Sequence, residues 1–300
     1  MIDNMKTKMN IKPFLKWAGG KSQLLNEIEK YYPFNDNIKC YVEPFVGGGA
    51  IFFDVIEKFD LDRVVINDIN SELMNAYKAI KNDVKSLIAI LEKYQSEYIK
   101  KDFDARTKYY NEKRKLFNEM KLKNIENVES AALLIFLNKT CFNGLYRVNR
   151  KGEYNVPMGK YKNPMICDTE NLQNISRKLK NVTILTGDFD KTKKYIDDKT
   201  FVYLDPPYRP LTKTQSFTSY TENCFSDERQ IELANFIKDI SKIKAKVLLS
   251  NSDPKNEDVN DNFFDNLYSG FKIKRVEACR MINCNGEKRG KIKELLISNF

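Results

Sequence analysis

The chain has 300 residues, of which 42% are hydrophobic and 31% are charged, so it has enough apolar material for a core and is not a disordered chain. Fifty-one basic residues against 41 acidic ones give a net charge of +10, which favours a polyanionic partner. The absence of histidine excludes Ser–His–Asp triads, Cys–His pairs, histidine bases and histidine metal ligands.

The first part of the chain alternates helical patterns, at 22–32, 50–58 and 71–81, with short β-rich runs at 41–46 and 64–69. Later in the chain, β-rich runs return at 182–186, 201–205 and 247–251, with a helical pattern at 226–240. Most β-rich runs lack strict polar–apolar alternation, as expected of strands that are buried on both faces of a parallel sheet. This order of elements predicts an α/β fold with a doubly wound, Rossmann-like sheet.

A different pattern interrupts this alternation. Residues 83–120 are charged and helical in period, and 129–138 is apolar nearly all round, which predicts a buried helix. We therefore predict an α/β domain built from 1–70 and 171–300, with a mostly helical insertion at 71–170. The last segments, 271–278 and 291–299, predict an antiparallel hairpin at the end of the sheet.

The six cysteines include no Cys-x-x-Cys spacing, so neither a zinc site nor a disulfide framework is expected. The sequence also lacks an N-terminal apolar signal region and any apolar run near the ~20 residues of a membrane helix. We expect a cytoplasmic protein with reduced cysteines.

The first chemical motif follows the run at 41–46 and contains Gly47, Gly48 and Gly49. Glycines allow close approach of a ligand, and the following helix N-terminus favours negative charge. Asp68, about 20 residues later, suits a ribose diol. A dinucleotide fingerprint is not complete, because Phe52 replaces its third glycine, so any nucleoside-containing cofactor remains open, as does a turn without a ligand.

A second possible phosphate loop, Gly19-Gly20-Lys21-Ser22, lacks the earlier glycine and a preceding strand. We do not expect it to bind a nucleoside triphosphate.

The second chemical motif, Asp205-Pro206-Pro207-Tyr208, closes the run at 201–205. Proline ends a strand because it has no N–H group. The Asp205 carboxylate and the Pro206 carbonyl could together accept both hydrogens of one amino group, while Tyr208 could stack on a planar ring. An ordinary turn after a buried strand is the alternative that this motif alone leaves open.

Taken together, several blocks resemble the Dam-type DNA adenine-N6 methyltransferases over nearly the whole chain. They are the glycine motif, Asp68, the DPPY motif, FLKWAGGK at 14–21, NKTCFNGLYRVN at 138–149, YNVPMGKY at 154–161 and SFTSY at 216–220. The resemblance implies methyl transfer from S-adenosylmethionine to adenine N6 in duplex DNA, within GATC, after the target base is flipped from the helix. It requires no metal.

The same resemblance implies roles for individual residues. Cofactor binding is implied for Trp17, Lys21, Gly47, Gly48, Gly49, Asp68, Asp188, Phe189 and Asp205. Asp205, Pro206 and Tyr208 are implied to be catalytic. A β-hairpin at about 142–161 is implied to read the DNA, with Phe142 as a wedge in the base stack. Base contacts are implied for Asn143, Leu145, Arg147 and Pro157.

The composition of 139–162 independently favours nucleic acid, because six basic residues face one acid there and aromatic residues lie between them. Lys139, Arg150 and Lys151 are the candidate phosphate contacts. The basic run at 100–123 is mixed with acids and is interpreted mainly as a solvated face. An RNA or other amino-group methyltransferase, a dinucleotide-dependent oxidoreductase and a DNA-binding protein without activity remain alternatives. The resemblance implies either the modification enzyme of a restriction-modification system or a Dam-like regulator, and the sequence leaves open which of the two. Oligomeric state is not predicted.

Overall fold

The computed structural model describes residues 11–17, 19–209, 225–279 and 291–300. The chain divides into two compact units, of which the first contains 1–20, 47–60 and 68–187 and the second contains 21–46, 61–67 and 188–300. The SFTSY block at 216–220 lies outside the described residues.

The described helices are α1 (Leu25–Glu29), α2 (Ala50–Lys58), α3 (Ser71–Asn82), α4 (Val84–Ile99), α5 (Phe103–Leu122), α6 (Val128–Thr140), α7 (Thr169–Leu179), α8 (Asp227–Lys242) and α9 (Phe263–Leu267). Short 3₁₀ helices occur at Lys21–Gln23, Phe142–Gly144, Phe189–Tyr195 and Pro254–Asn256. The described strands are β1 (Cys40–Glu43), β2 (Arg63–Ile66), β3 (Val182–Ile184), β4 (Thr200–Leu204), β5 (Lys246–Ser252), β6 (Lys272–Cys279) and β7 (Lys291–Ser298).

The strands form a mostly parallel sheet, and its strands in the second unit run in the order β2-β1-β4-β5-β7-β6. β1 is parallel to β2 and β4, and β4 is parallel to β5. β7 is antiparallel to both β5 and β6. The predicted α/β fold with a Rossmann-like sheet and a C-terminal antiparallel hairpin is therefore confirmed.

The parallel strands are buried on both faces, which explains their continuous apolar sequence. Every residue of β1 and β4 is buried, and the rings of Tyr41 and Phe201 on these strands lie 5.8 Å apart. Such strands need apolar side chains on both faces rather than alternation. The sequence prediction of strand type was correct for this reason.

Strands β1 to β4 end earlier than the sequence predicted, whereas β5 extends beyond its predicted end. β1 ends at Glu43, whereas the predicted strand extended to 46. Pro44 follows Glu43 and has no N–H group with which to continue the ladder. Beyond it, Asn67 Nδ2 donates to the Pro44 carbonyl (3.0 Å) and the Val46 N–H to the Asn67 carbonyl (2.9 Å). These bonds hold the chain in a turn.

The first unit is centred on α6, which packs against α3, α4 and α5. Its side chains are buried on every face from Ser130 to Asn138, which confirms the predicted buried helix. Asn127 and Ser130 form a capping box at its start, and Asn75 on α3 donates to the carbonyl of Asn127 (2.9 Å) and the hydroxyl of Ser130 (2.9 Å). These contacts fix α3 against the start of α6.

The single helical pattern predicted at 22–32 is wrong in detail. It forms a 3₁₀ turn and the short helix α1. Pro33 disfavours helical geometry at Tyr32, which shortens the element. By contrast, α2 has the predicted bounds.

Candidate functional site

The glycine turn, residues Gly47, Gly48 and Gly49, lies in the first unit just before α2. Gly47 and Gly49 adopt positive φ angles of 49° and 78°. A Cβ atom on Gly49 would lie 2.5 Å from the Tyr77 hydroxyl oxygen, and one on Gly48 would lie 2.9 Å from Cβ of Trp17. Backbone geometry and close packing therefore both require glycine here.

Asp68 fixes this turn through its carboxylate. One oxygen accepts the Gly47 N–H (3.0 Å), and the other accepts the Asn70 N–H (2.9 Å). Burial raises the pKa of Asp68, although these backbone hydrogen bonds oppose the rise. Each carboxylate oxygen keeps further acceptor capacity, so bracing the turn is compatible with the predicted contact to a ribose diol. Ile69, which the sequence analysis did not select, is 59% exposed beside it.

Trp17 forms the other side of the turn. A Cβ on Gly47 would lie 3.0 Å from the Trp17 ring. The Trp17 indole stacks on the ring of Tyr146, with centroids 5.4 Å apart and an interplanar angle of 29°. Among the described residues, the first unit thus brings Trp17, the three glycines and Asp68 together and adds Tyr146, while their contact with a cofactor stays a prediction.

The DPPY motif lies in the second unit, directly after β4. The Asp205 carboxylate is bound by Lys21, whose Nζ lies 2.7 and 2.9 Å from its two oxygens, and it accepts the Ser250 hydroxyl (3.0 Å). Ser250 belongs to the neighbouring parallel strand β5. The Lys21 side chain is only 4% exposed, and in the described structure the ammonium faces a carboxylate.

Tyr208 belongs to the same cluster, and so does a residue that sequence reasoning missed, Glu294 on β7. The Tyr208 hydroxyl donates to the Glu294 carboxylate (2.7 Å), and Lys21 Nζ lies 4.7 Å from the Tyr208 ring centroid and 3.9 Å from Glu294. Burial, followed by the charges of Asp205 and Glu294, raises the pKa of Tyr208, which stays protonated. Glu294 is the only acid in β7 and directly precedes the apolar run Leu295–Ile297. A single acid next to an apolar run was the available sequence signal.

Asp188 and Phe189 also lie in the second unit. Asp188 caps the 3₁₀ helix that follows it and pairs with Arg229. Phe189 is 3% exposed, and its ring packs near Phe45 at 5.7 Å between centroids. The guanidinium of Arg229 lies 5.0 Å from the Phe189 ring, so this side chain contacts both an aromatic ring and a cation. The predicted contact of the pair with a cofactor stays a prediction.

The recognition segment, residues 139–162, folds back on itself within the first unit. It pairs through two isolated antiparallel bridges, Cys141 with Met158 and Val148 with Tyr154, rather than through a regular ladder. Asn143 has a positive φ of 55°, and Phe142 beside it is 52% exposed.

The predicted DNA-contacting residues of this segment differ in exposure. Those with exposed side chains are Phe142, Asn143, Arg147, Arg150, Lys151 and Pro157. Leu145 is half-buried. Lys139 differs from them, because it lies half-buried on α6 and burial lowers its pKa. The structure thus presents most of the set to solvent.

Helix α5 holds this segment in place. Tyr110 donates to the Val156 carbonyl (2.8 Å), Asn118 exchanges hydrogen bonds with the backbone of Tyr154 (2.8 and 3.1 Å), and Arg106 donates to the Lys162 carbonyl (2.8 Å). The interpretation of 100–123 as mainly a solvated face is therefore incomplete. Its buried face carries Tyr109, Tyr110, Phe117 and Met120, whose helical spacing was the available signal.

Two general features frame these clusters. Cys40, Cys141 and Cys167 are free and buried, and no group of three or more metal-ligating side chains occurs in the described part of the chain. A search of the described helices finds none long and apolar enough to cross a bilayer.

Comparison with known proteins gives consistent results. Residues 17–282 match the family of D12 class N6 adenine-specific DNA methyltransferases. The chain is 52% identical to the type II methyltransferase M.MjaIII of Methanocaldococcus jannaschii, over 97% of this chain and 100% of the relative. It is 40% identical to the type II methyltransferase M1.LlaDCHI of Lactococcus lactis subsp. cremoris (98% of both chains). It is 39% identical to the DNA adenine methylase of Haemophilus influenzae (98% and 95%).

Proposed function

Because the chain belongs to the D12 class of N6 adenine-specific DNA methyltransferases, we propose that it transfers a methyl group from S-adenosylmethionine to adenine N6 within GATC in duplex DNA. The observation that carries this proposal is the cluster at the end of β4, where Lys21 and Ser250 hold Asp205 beside Tyr208. The exposed basic side chains of the recognition segment, together with the exposed Phe142, support a DNA substrate.

The cofactor is proposed to bind to Trp17, Lys21, Gly47, Gly48, Gly49, Asp68, Asp188, Phe189 and Asp205. The residues fit such a ligand, since the glycine turn places its backbone at the start of α2, where a helix N-terminus favours negative charge, and Asp68 offers acceptors for a diol. Lys21 supplies a cation for a carboxylate. When bound, S-adenosylmethionine supplies an electrophilic methyl group.

The chain's own residues are proposed to prepare the adenine amino group. Asp205 accepts one N6 hydrogen and the Pro206 carbonyl accepts the other, which draws the nitrogen lone pair out of conjugation with the ring. Lys21 and Ser250 fix the orientation of the carboxylate, so little reorganisation is needed on binding. Asp205 then accepts the proton that the nitrogen loses.

Tyr208 is proposed to stack on the flipped adenine. Extruding a base costs a few kcal/mol, which contacts in the site must offset. The hydrogen bond to Glu294 holds the Tyr208 hydroxyl at one end of the ring (2.7 Å). A ring fixed in this way loses less conformational entropy when a base stacks on it.

Recognition is proposed to use the exposed side chains of the segment 139–162. Phe142 enters the base stack, and Asn143, Leu145, Arg147 and Pro157 contact bases. Arg147 Nε and Nη2 donate to the Oδ1 and the carbonyl of Asn155 (2.7 and 3.3 Å), and Nη1 and the second Nη2 hydrogen are proposed to donate to the O6 and N7 acceptors of guanine. Lys139, Arg150 and Lys151 are proposed to contact phosphates.

The domain roles are proposed to follow: 1–70 and 171–300 carry catalysis and 71–170 carries DNA recognition, through the hairpin at about 142–161. Of the three relatives above, two are named type II methyltransferases and one a DNA adenine methylase. These names support a role in restriction-modification or in Dam-like regulation. A location in the cytoplasm is part of the same proposal. Mapping N6-methyladenine in DNA from expressing cells identifies the site. Survival of that DNA with a nuclease of the same specificity then tests protection.

Transfer of a labelled methyl group to duplex DNA with and without GATC tests the activity. We expect Asp205→Ala to lower transfer by at least about 100-fold while DNA affinity changes little. Asp198→Ala is the matched control, because Asp198 is an exposed acid just before β4. Normal turnover by Asp205→Ala, or labelling of RNA but not of DNA, contradicts the proposal.

A further inference from the structure

Tyr146 occupies a position that the proposed function does not explain. It lies in the recognition segment between Leu145 and Arg147, yet its ring is turned inward, where it stacks on Trp17 at 5.4 Å. Trp17 in turn packs on the glycine turn, since a Cβ on Gly48 would lie 2.9 Å from it. One aromatic contact therefore joins the DNA-reading segment to the turn proposed to bind the cofactor.

The other end of Tyr146 reaches the same turn by a second route. Its hydroxyl donates to the Glu72 carboxylate (3.2 Å), and Glu72 lies in the first turn of α3. Asn70, which caps α3, donates its N–H to Asp68 (2.9 Å), and Asp68 accepts the N–H of Gly47 (3.0 Å). These contacts therefore connect Tyr146 to the glycine turn by a second path, through Glu72, Asn70 and Asp68.

The Glu72 carboxylate is itself fixed. Lys121 near the end of α5 pairs with it, and α5 is the helix that anchors the recognition segment. Burial and the charge of Glu72 raise the pKa of Tyr146, so the phenol remains a donor at physiological pH.

The backbone around this contact is held by other groups. Asn138 donates to the carbonyls of Lys16 (2.8 Å) and Gly144 (2.9 Å), which fixes the residue before Trp17 to the start of the recognition segment. What remains for Tyr146 to control is the orientation of the Trp17 ring against the glycines.

We propose that Tyr146 is a positioning residue that couples DNA binding at the recognition segment to cofactor binding at the glycine turn, through Trp17 and Glu72. This inference rests on the proposed function. DNA that contacts the segment restricts the motion of Tyr146, Tyr146 restricts the indole, and the cofactor then meets a Trp17 ring that is already fixed against the glycines. By linkage, the cofactor strengthens DNA binding by the same factor.

The coupling is measured with S-adenosylhomocysteine, which binds without turnover, and a duplex that contains GATC. Calorimetry gives the Kd of this probe for the full chain alone and with saturating DNA. For the unaltered protein we expect binding at least about fivefold tighter with DNA, within the usual range of coupling between sites. The ratio of the Kd without DNA to the Kd with DNA measures the coupling. Tyr146→Ala removes both contacts and should bring this ratio to about one.

Tyr146→Phe keeps the stacked ring and removes only the hydrogen bond to Glu72, so its ratio should lie between those two values. Tyr110→Phe is the matched control. It removes another phenol hydrogen bond to the recognition segment, to the Val156 carbonyl (2.8 Å), without touching Trp17. A merely structural role of Tyr146 would lower thermal stability in both phenylalanine variants and leave both ratios unchanged.

Trp17 is the only tryptophan of the chain, so its fluorescence reports on this contact directly. DNA alone should change its emission in the unaltered protein and in Tyr110→Phe, and not in Tyr146→Ala. A ratio of one in the unaltered protein, or a full ratio in Tyr146→Ala, overturns the inference. If Tyr146→Ala does not fold, equal ratios in Tyr146→Phe and Tyr110→Phe overturn it.

Methyl transfer by the unaltered protein is measured first, and this separates the two proposals. Absence of transfer to DNA refutes the proposed function. Normal transfer together with uncoupled binding refutes only the role of Tyr146.

Discussion

Replacing Lys21 tests the charge arrangement after β4. Its ammonium faces the carboxylates of Asp205 (2.7 Å) and Glu294 (3.9 Å), and its side chain is 4% exposed. Lys21→Met preserves the length of the side chain but leaves two acids near each other without this cation. Breaking a buried ion pair costs about 3–5 kcal/mol. We expect about 3 kcal/mol, because Asp205 is 19% exposed and keeps the Ser250 hydrogen bond.

The reverse substitution, Asp205→Asn, should cost less. It leaves Lys21 beside Glu294, and the amide oxygen still accepts a hydrogen bond, so the loss is about 1–2 kcal/mol. The double variant Lys21→Met with Asp205→Asn should lose less than the sum of the two single losses, since it removes the unpaired acid that the first substitution creates. The structure therefore predicts an order as well as a magnitude.

Thermal unfolding of the full chain without ligands measures these effects, and a loss of about 3 kcal/mol should lower Tm by about 6–10 °C. Lys193→Met is the control. Lys193 pairs with Asp239 at 3.1 Å, but the two side chains are 55% and 46% exposed, so the pair contributes little. If Asp205→Asn destabilises the protein more than Lys21→Met does, the reasoning is refuted.

Three further predictions follow from the segment and the turn. Arg147→Ala should lower discrimination between GATC and singly altered sites by about 10- to 100-fold in methyl-transfer assays, whereas Arg150→Ala should weaken binding to all sequences alike; equal effects would make Arg147 a phosphate contact. DNA affinity should fall steeply as salt rises in a binding titration, and an affinity independent of salt would exclude DNA as the partner. Gly49→Ala should weaken cofactor binding in calorimetry far more than Gly152→Ala. Both glycines have φ near 77°, but of the two added Cβ atoms only that of Gly49 would meet another atom, Tyr77 Oη at 2.5 Å. Equal losses of cofactor affinity would show that backbone strain, and not this contact, determines the effect.

The element types were predictable because they depend on local composition. The run Phe201–Leu204 is apolar without alternation and forms the buried strand β4, and α2 begins directly after Gly49, whose positive φ ends the turn. The ends of strands were less predictable. Apolar residues continue past Glu43, but the ladder stops at Pro44, which offers no donor.

The residues that the sequence analysis missed act across long distances in the chain. Glu294 meets Tyr208 from 86 positions away, and Tyr146 meets Glu72 from 74. Neither pair has a spacing that local periodicity could reveal. Tyr146 is one of the aromatic residues whose presence in 139–162 favours nucleic acid by composition, whereas its ring stacks on Trp17. Composition identifies a segment, but only the fold decides which side chains turn inward.

Asp68 shows how a fold requirement and a binding motif coincide. The sequence analysis attributed the spacing of about 20 residues between the glycines and this acid to a ribose contact. In the structure the same carboxylate accepts the Gly47 N–H (3.0 Å) and so closes the turn. An acid at this spacing therefore contributes to the shape of the turn, apart from any contact with a ligand. Because its oxygens can accept further hydrogen bonds, one residue can both close the turn and accept hydrogen bonds from a ligand.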